Sequence, residues 1–539
     1  AASGSAASGS AASGSAASGS AASGTPPLLR MVGQTSWVRA GHPFVLDLSV
    51  TGVPASSPAA AGYRLEVSVY PKLLSRSSFD ASMKSKPAGY PLSQLGAFSL
   101  ASLPADPAHA GAVTLPIPVA SPGHPASSSV GAASQAASGR GAPAPNPPAR
   151  IPAVDLSSCG AACGGVYPVV VSLERSGSAK VLDHLTTDMI FTDVLPTTKK
   201  LDLALALPVA APPAASGRGV PQISDAAAAS LRTLATALTS HPAAALTIVP
   251  SPLTLEALAH TSAPAGGSVL ADVSAWAASP DHQVVGRPFA PVDVAALARA
   301  GLSGELAPQM LRGTAAIGTS LHVQPGPGTW VSHTGLSEPA LGLLAHLKGG
   351  GVHHLVLPAG ALVPLFEKIT PVQPFLLTGP AGTQVEAVAA DAGLAAHLTD
   401  GPRPELAAHQ LLADLSTIYF DQPNADYTRG VVLDVPPSWT PDATVLDTVL
   451  GALVHSPIVS PVTLDQLFGQ VGLATFEGAH VVRHLRSGTM TAGSGAASGG
   501  APGTSAAAGG LPPGSAGPSG GPGTSGLPAS ALASHRKRL

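Results

Sequence analysis

RGVVLDVPPSWTPDATVLDTVLGALV, residues 429–454, reads as one strand followed by one helix: Val431 to Val435 is the strand and Asp442 to Val454 the helix. The same alternation recurs upstream. Leu201 to Pro208 is apolar and strand-like, Ser224 or Asp225 caps a helix running through Leu238, and Leu246 to Pro250 is the next strand. Val284 to Phe289 is a strand and Val294 to Ala300 a helix. Thr329 to Ser332 and His353 to Leu357 are two further strands with a helix over Ala340 to Lys348 between them, and Glu405 to Ile418 is helical. Repeated βα units predict a mainly parallel sheet, open or closed as a partial barrel, over 201–487. In that architecture functional residues lie where strands end and helices begin.

Upstream, over 33–200, the pattern changes to period two. Phe44 to Val50, Arg64 to Tyr70, Val113 to Val119, Tyr167 to Leu173 and Met189 to Val194 read as strands, with no amphipathic helix among them. This predicts an immunoglobulin-like β-sandwich carrying a Pro-rich insertion at about 104–152. The ends differ again. Residues 1–32 are a linker opening with four copies of AASGS and one AASGT, and 488–539 are an Ala/Gly/Ser/Pro tail. A five-residue unit of small residues has no apolar face to stack, so both ends are expected to be disordered tethers.

Composition narrows the function classes. Sixty Gly and fifty-five Pro in 539 residues, with 4% aromatics and 11% charged residues, leave much of the chain without a core to bury. A net charge of −3 supplies no basic field for nucleic acid. The one basic cluster, His535-Arg536-Lys537-Arg538, follows the tail and reads as solvated. There is no Gly-Lys dipeptide and no GxGxxG after a strand, so nucleotide binding lacks a motif and no cofactor is implied. No run of 18 apolar residues spans a membrane. Cys159 and Cys163 share a Gly-rich loop with no completing metal ligand nearby, which favours a local disulfide and an oxidising compartment.

Five segments in order, QTSWVRAGHPFVLDLSVTG (34–52), RLEVSVYPKLLSRSSF (64–79), GGVYPVVVSL (164–173), GRPFAPVDVAALARAGL (286–302) and RGVVLDVPPSWTP (429–441), resemble an uncharacterised actinobacterial family of exported, membrane-anchored envelope proteins, often encoded beside the lipid II flippase. The resemblance runs over about Gln34 to Phe468. It implies an extracytoplasmic setting, a β domain, and a barrel-like domain reminiscent of glycosidases and polysaccharide deacetylases. It implies cell-wall glycan or envelope proteins as partners, and membrane association through a segment absent from this chain. The sequence departs from the family at Pro288-Phe289-Ala290-Pro291-Val292-Asp293, where P-Y-A-D-P-D is usual and one acid is lost.

Asp293, at a strand-to-helix junction, is the candidate catalytic carboxylate. With Pro291 near N1 it also suits a charge at the helix N-terminus. Trp330 and His333 are the candidate substrate contacts, one for sugar stacking and one for acid/base work. A second acid would come from Glu256, Asp272 or Glu338. His353 and His354 point to opposite faces of one strand and cannot share a metal. Glu477, His480 and His484 form ExxHxxxH, a weak metal candidate in a segment that reads as strand. Gly517 to Gly521 matches GxSxG only inside the tail, and Arg429 and Trp439 read as packing residues. The sequence favours a non-catalytic envelope protein, a binding or scaffolding module for cell-wall glycan. Its alternative is a carbohydrate-active hydrolase or deacetylase using Asp293 and a second acid.

Overall fold

A computed structural model describes residues 27–486 except 86, 123, 125–150, 158–162, 194–197, 213, 216–220, 262–263, 327, 366–369 and 400–401. The first strand, β1 (Leu29–Gln34), begins ahead of the boundary expected near 33. It pairs with β2 (Phe44–Val50), whose alternating burial carries Phe44, Leu46 and Leu48 inward. β3 (Tyr63–Val69) is followed by a helix, α1 (Arg76–Lys84), in a region expected to hold none. A capping box explains it. The Ser75 side chain accepts from the Ser78 N–H, and the Ser78 side chain reaches back to the Ser75 N–H. A helix only nine residues long, with few apolar positions, leaves little periodicity to read.

β4 (Ser93–Ser99), β5 (Val113–Ile117), β6 (Gly165–Arg175) and β7 (Val181–Phe191) complete two antiparallel sheets, ordered β1-β2-β5 and β4-β3-β6-β7. Side chains of both sheets enter one buried cluster that includes Leu46, Leu65, Val171 and Met189. Leu115 and Ile117 are wholly buried there, so the first part of the expected insertion belongs to the core. Met189 lies near the end of β7 rather than opening a strand of its own.

From Leu201 onward strands and helices alternate as read: β8 (Leu201–Val209), α2 (Asp225–Ser240), β9 (Thr247–Pro250), α3 (Pro252–His260), α4 (Pro264–Ala277) and β10 (Gln283–Val284). The run expected to extend to Phe289 stops early, because Pro288 and Pro291 lack the N–H that a ladder needs. Next come α5 (Val294–Arg299), α6 (Leu306–Leu321), β11 (Thr329–Val331), α7 (Glu338–Ala345), β12 (His354–Pro358), β13 (Phe375–Thr378) and β14 (Gln384–Ala390). The chain closes with α8 (Ala392–Thr399), α9 (Pro404–Asp421), β15 (Arg429–Asp434), α10 (Ala443–Val454), β16 (Val459–Val462) and α11 (Leu464–Gln470). The main sheet runs β10-β9-β8-β15-β14-β12-β11 with parallel neighbours throughout, β16 parallel to β8 and β13 antiparallel to β14. It is a curled half-barrel.

One face of this sheet is lined by small or branched residues, Ala204, Ala206, Val249, Val285, Val331, Val356, Val388 and Val432, against Leu464, Leu467 and Phe468 around α11. Helices cover the other face. α11 closes the N-terminal end of the sheet through polar contacts to the first residues of three strands. The Leu464 N–H donates to Thr247 Oγ1 (3.0 Å), the Asp465 N–H to Gln283 Oε1 (3.1 Å), and Thr329 Oγ1 to Asp465 Oδ1 (2.6 Å).

The antiparallel part and the βα part share a core. Phe79, Val166 and Ile190 of the first belong to the same buried cluster as α2, α9 and α10 of the second. Arg76 crosses with them. Its guanidinium donates from Nε (2.7 Å) and Nη2 (2.8 Å) to the Asp414 carboxylate and from Nη1 and Nη2 to Asp391, whose Oδ1 also accepts from the Leu394 N–H at the start of α8. His397 Nε2 lies 3.3 Å from Asp414 Oδ2. Burial alone would lower the Arg76 pKa, but the hydrogen bonds and charges of Asp391 and Asp414 outweigh it and raise it. The Asp414 carboxyl, whose burial pulls the other way, is held below its ordinary value by His397 and Arg76.

Candidate functional site at the C-terminal end of the sheet

Val331 and Val432 on β11 and β15, and Val285 just past the end of β10, line the same inner face. Strand side chains alternate, so the residue two positions onward continues that face. Those residues are Arg287, His333 and Asp434, and they meet at the end opposite α11. His333 Nδ1 is 3.0 Å from Asp434 Oδ2, and Arg287 Nη1 is 3.3 Å from His333 Nε2 and 3.4 Å from the Val331 carbonyl.

The partners dictate the tautomer. A guanidinium has only donors, so Nε2 accepts from it, and Nδ1 carries the hydrogen that is donated to Asp434. Burial lowers the Arg287 pKa and the Asp434 charge opposes that shift; an arginine so placed stays protonated. Asp434 is 7% exposed, and its Oδ1 has no hydrogen-bond partner among the described residues. A buried acceptor left open is costly unless some donor fills it.

Of the residues singled out in the sequence, His333 stands at this site. Trp330 faces the other way. It is 6% exposed and packs in the helix-side cluster with Leu341, Leu344 and Leu355. Asp293 is the N-cap of α5, where Oδ1 accepts from the Ala296 N–H at 2.9 Å, three positions earlier than the N3 placement that Pro291 near N1 implied. Asp293→Ala is expected to lower stability by about 1 kcal/mol, as loss of an N-cap does, measured by urea denaturation. Glu256 and Asp272 lie within α3 and α4, and Glu338 is exposed in the first turn of α7.

His354 stacks on Phe468 with ring centroids 4.4 Å apart, at the closed end of the sheet. His480 and His484 are exposed, and among the described residues no group of three or more His, Cys, Asp or Glu is placed to hold a metal. Cys163 is buried; Cys159, with which a disulfide was expected, lies outside the described residues, as do Gly517 to Gly521 and His535 to Arg538. No helix among the described residues is long and apolar enough to cross a membrane. Arg429 and Trp439 pack as expected: Arg429 donates to the Ile418 and Tyr419 carbonyls at the end of α9, and Trp439 Nε1 to the Leu398 carbonyl at 3.0 Å.

Sequence reasoning passed over Arg287 and Asp434. A signal for each was present, a charged residue two positions after a strand valine, but two-residue spacing at the end of a strand also describes solvated turns.

No family model and no curated protein matches this chain. Among solved structures it is similar to the 4-alpha-glucanotransferase from Thermococcus litoralis, at 12% identity over 53% of this chain and 42% of that one, with a TM-score of 0.39. It is also similar to a GH57 branching enzyme from Thermococcus kodakaraensis (10% identity, 54% and 74% covered, TM-score 0.36) and to an alpha-mannosidase from Enterococcus faecalis (11% identity, 51% and 30% covered, TM-score 0.34). The chain spans less than half the length of the first of these. Values this low transfer neither a site nor an activity.

Proposed function

We propose that this is an extracytoplasmic, carbohydrate-directed protein whose α/β domain hydrolyses an acyl group from a glycan at the C-terminal end of its sheet. The observation that carries the reading is His333 held between Asp434 and Arg287. A substrate carbonyl entering the site takes over the Arg287 donor and frees His333 Nε2. That nitrogen accepts a proton from water as the water oxygen bonds to the carbonyl carbon, and the guanidinium meets the charge gathering on the carbonyl oxygen. The proton then passes from Nε2 to the departing amine or alkoxide as the acyl bond breaks. Asp434 keeps Nδ1 protonated throughout and stabilises the transient imidazolium.

Glycosidic cleavage fits less well, because it asks for two carboxyl groups about 5 to 9.5 Å apart and the described contacts bring one carboxylate, Asp434, to His333. The envelope setting, and cell-wall glycan as the substrate, rest on the family resemblance of the five segments. We also read the first domain as immunoglobulin-like, on its three-plus-four antiparallel strands around one core. A second reading, a glycan-binding module without turnover, is favoured by one feature: in the resting site Arg287 already occupies the nitrogen that catalysis needs.

Acetate release and binding, measured on a panel of N- and O-acetylated cell-wall glycans, separate these readings. Wild type is expected to release acetate, and His333→Ala to release it about 100-fold more slowly or worse, the usual contribution of a general base. Binding without release would favour the module. Loss of turnover in Asp293→Ala would restore the two-carboxylate version, and neither binding nor release would remove the carbohydrate reading altogether.

A further inference from the structure

Where the two domains meet, a cleft of about 920 Å³ opens at a distance in the fold from the Arg287–His333–Asp434 site, lined by β1 and β2 on one side and by α2, α9 and α10 on the other. Its size and its place at a domain boundary are those of a small-ligand site. Its walls carry a row of hydroxyls among small apolar side chains. α2 turns Thr233, Thr236 and Ser240 toward it at helical spacing, and α10 contributes Thr444 and Thr448 one turn apart.

Charge in the cleft is unbalanced. Among the described residues, Asp47, Glu405 and Asp447 line it against one arginine, Arg232; Asp47 Oδ1 also accepts from Thr114 Oγ1 at 2.6 Å, and Asp447 Oδ1 lies 2.8 Å from His241 Nε2. Glu405 organises the floor: its Oε2 accepts from Thr448 Oγ1 at 3.0 Å, and its Oε1 lies 3.2 Å from His409 Nε2, which makes that nitrogen the donor. In the neutral ring the other nitrogen, Nδ1, is an acceptor. The His409 side chain is 1% exposed, it lines the cleft, and Nδ1 has no partner among the described residues. A buried acceptor of this kind calls for a donor from the cleft. His109 is the other imidazole of the lining and is held by Asp106 at 2.6 Å. Among the described residues the cleft offers no Trp, Tyr or Phe face on which an uncharged sugar would stack.

We propose that this cleft is a second binding site, for a protonated amine carried on a hydroxyl-rich ligand: an oligosaccharide of amino sugars whose amino groups are free. The ammonium sits among Asp47, Glu405 and Asp447 and donates to His409 Nδ1, while sugar hydroxyls exchange hydrogen bonds with the α2 and α10 side chains. The site is separate from His333 and stands whether or not that site turns over substrate.

Calorimetric titration of the full chain with a glucosamine tetramer, its N-acetylated counterpart and spermidine tests the assignment, with His333→Ala titrated alongside to exclude binding at the other site. The glucosamine tetramer is expected to bind, more weakly as salt rises, and the N-acetylated tetramer at least about tenfold less tightly, as loss of a charge-assisted hydrogen bond implies. Asp447→Lys reverses a charge at a 75% exposed side chain, so folding is not at stake, and it should cost the glucosamine tetramer about tenfold or more in affinity. The proposal is overturned if the acetylated tetramer binds as well as the free amine, if spermidine matches the sugar, if binding vanishes in His333→Ala, or if no ligand binds.

Discussion

Arg76→Ala is expected to destabilise the protein by about 3 kcal/mol, toward the lower end of what removing one partner of a buried ion pair costs, because the arginine side chain is 23% exposed. The cost comes less from lost attraction than from what stays behind. Asp391 and Asp414, at 13% and 2% side-chain exposure, would keep their charges without the guanidinium that now bridges them. Arg76→Lys should recover only part of the loss, since an ammonium is a point charge and cannot span both carboxylates as the planar fork does. Urea unfolding followed by tryptophan fluorescence reads the difference; a loss below about 1 kcal/mol would mean that the apolar part of the interface alone holds the domains together.

The second large effect depends on pH. Asp188, on β7, is 2% exposed, neither carboxyl oxygen has a hydrogen-bond partner among the described residues, and burial with the nearby Asp414 charge pushes its pKa up from 3.8 to about 7. The native chain therefore keeps a proton that the unfolded chain has already released. Stability supplied by that bound proton is complete below about pH 4 and is lost as pH rises toward and through 7. Across that window the group costs on the order of 4 kcal/mol, from 1.36 kcal/mol per unit of displacement. Asp188→Asn removes the titration and leaves the shape. The variant should unfold at higher urea than wild type at pH 8, with the gap shrinking toward pH 4. Asp414 has the opposite sign, its lowered pKa adding stability that disappears only in acid, which is why the comparison is made between variant and wild type at each pH. A gap that does not change between pH 4 and 8 would show that Asp188 is ionised throughout.

Much of the secondary structure was legible because its causes are local. The helix over Asp225–Ser240 is capped by Ser224, one of the two caps read from sequence, and the helix read from Asp442 begins at Ala443 with Asp442 as its cap. The strand Leu201–Val209 is buried at every position, as a central parallel strand must be when both its faces are covered. What escaped reading were elements whose signal is weak or split. α6 (Leu306–Leu321) interrupts its apolar stripe with Gly313 and Gly318, and Cβ atoms at Gly313 would collide with the backbone of Arg287 to Phe289. α1 rests on a serine capping box rather than on amphipathicity. His333 could be named from its place at a strand end, but Trp330, three residues earlier, could not be assigned a face until the strand was seen to end at Val331.

By itself, then, the sequence determined much of the succession of βα units, the change from period two to period 3.6 near residue 200, and the gathering of polar residues at strand ends. Only the tertiary structure decided which of those residues meet. His333 lies 46 residues from Arg287 and 101 from Asp434, and Arg76 lies 338 from Asp414. Their proximity follows from strand order in the sheet and from the docking of one domain on the other. Spacing along the chain encodes the face a side chain takes within its own strand or helix, but the order of strands is chosen by the packing of whole layers, to which residues hundreds of positions apart contribute together.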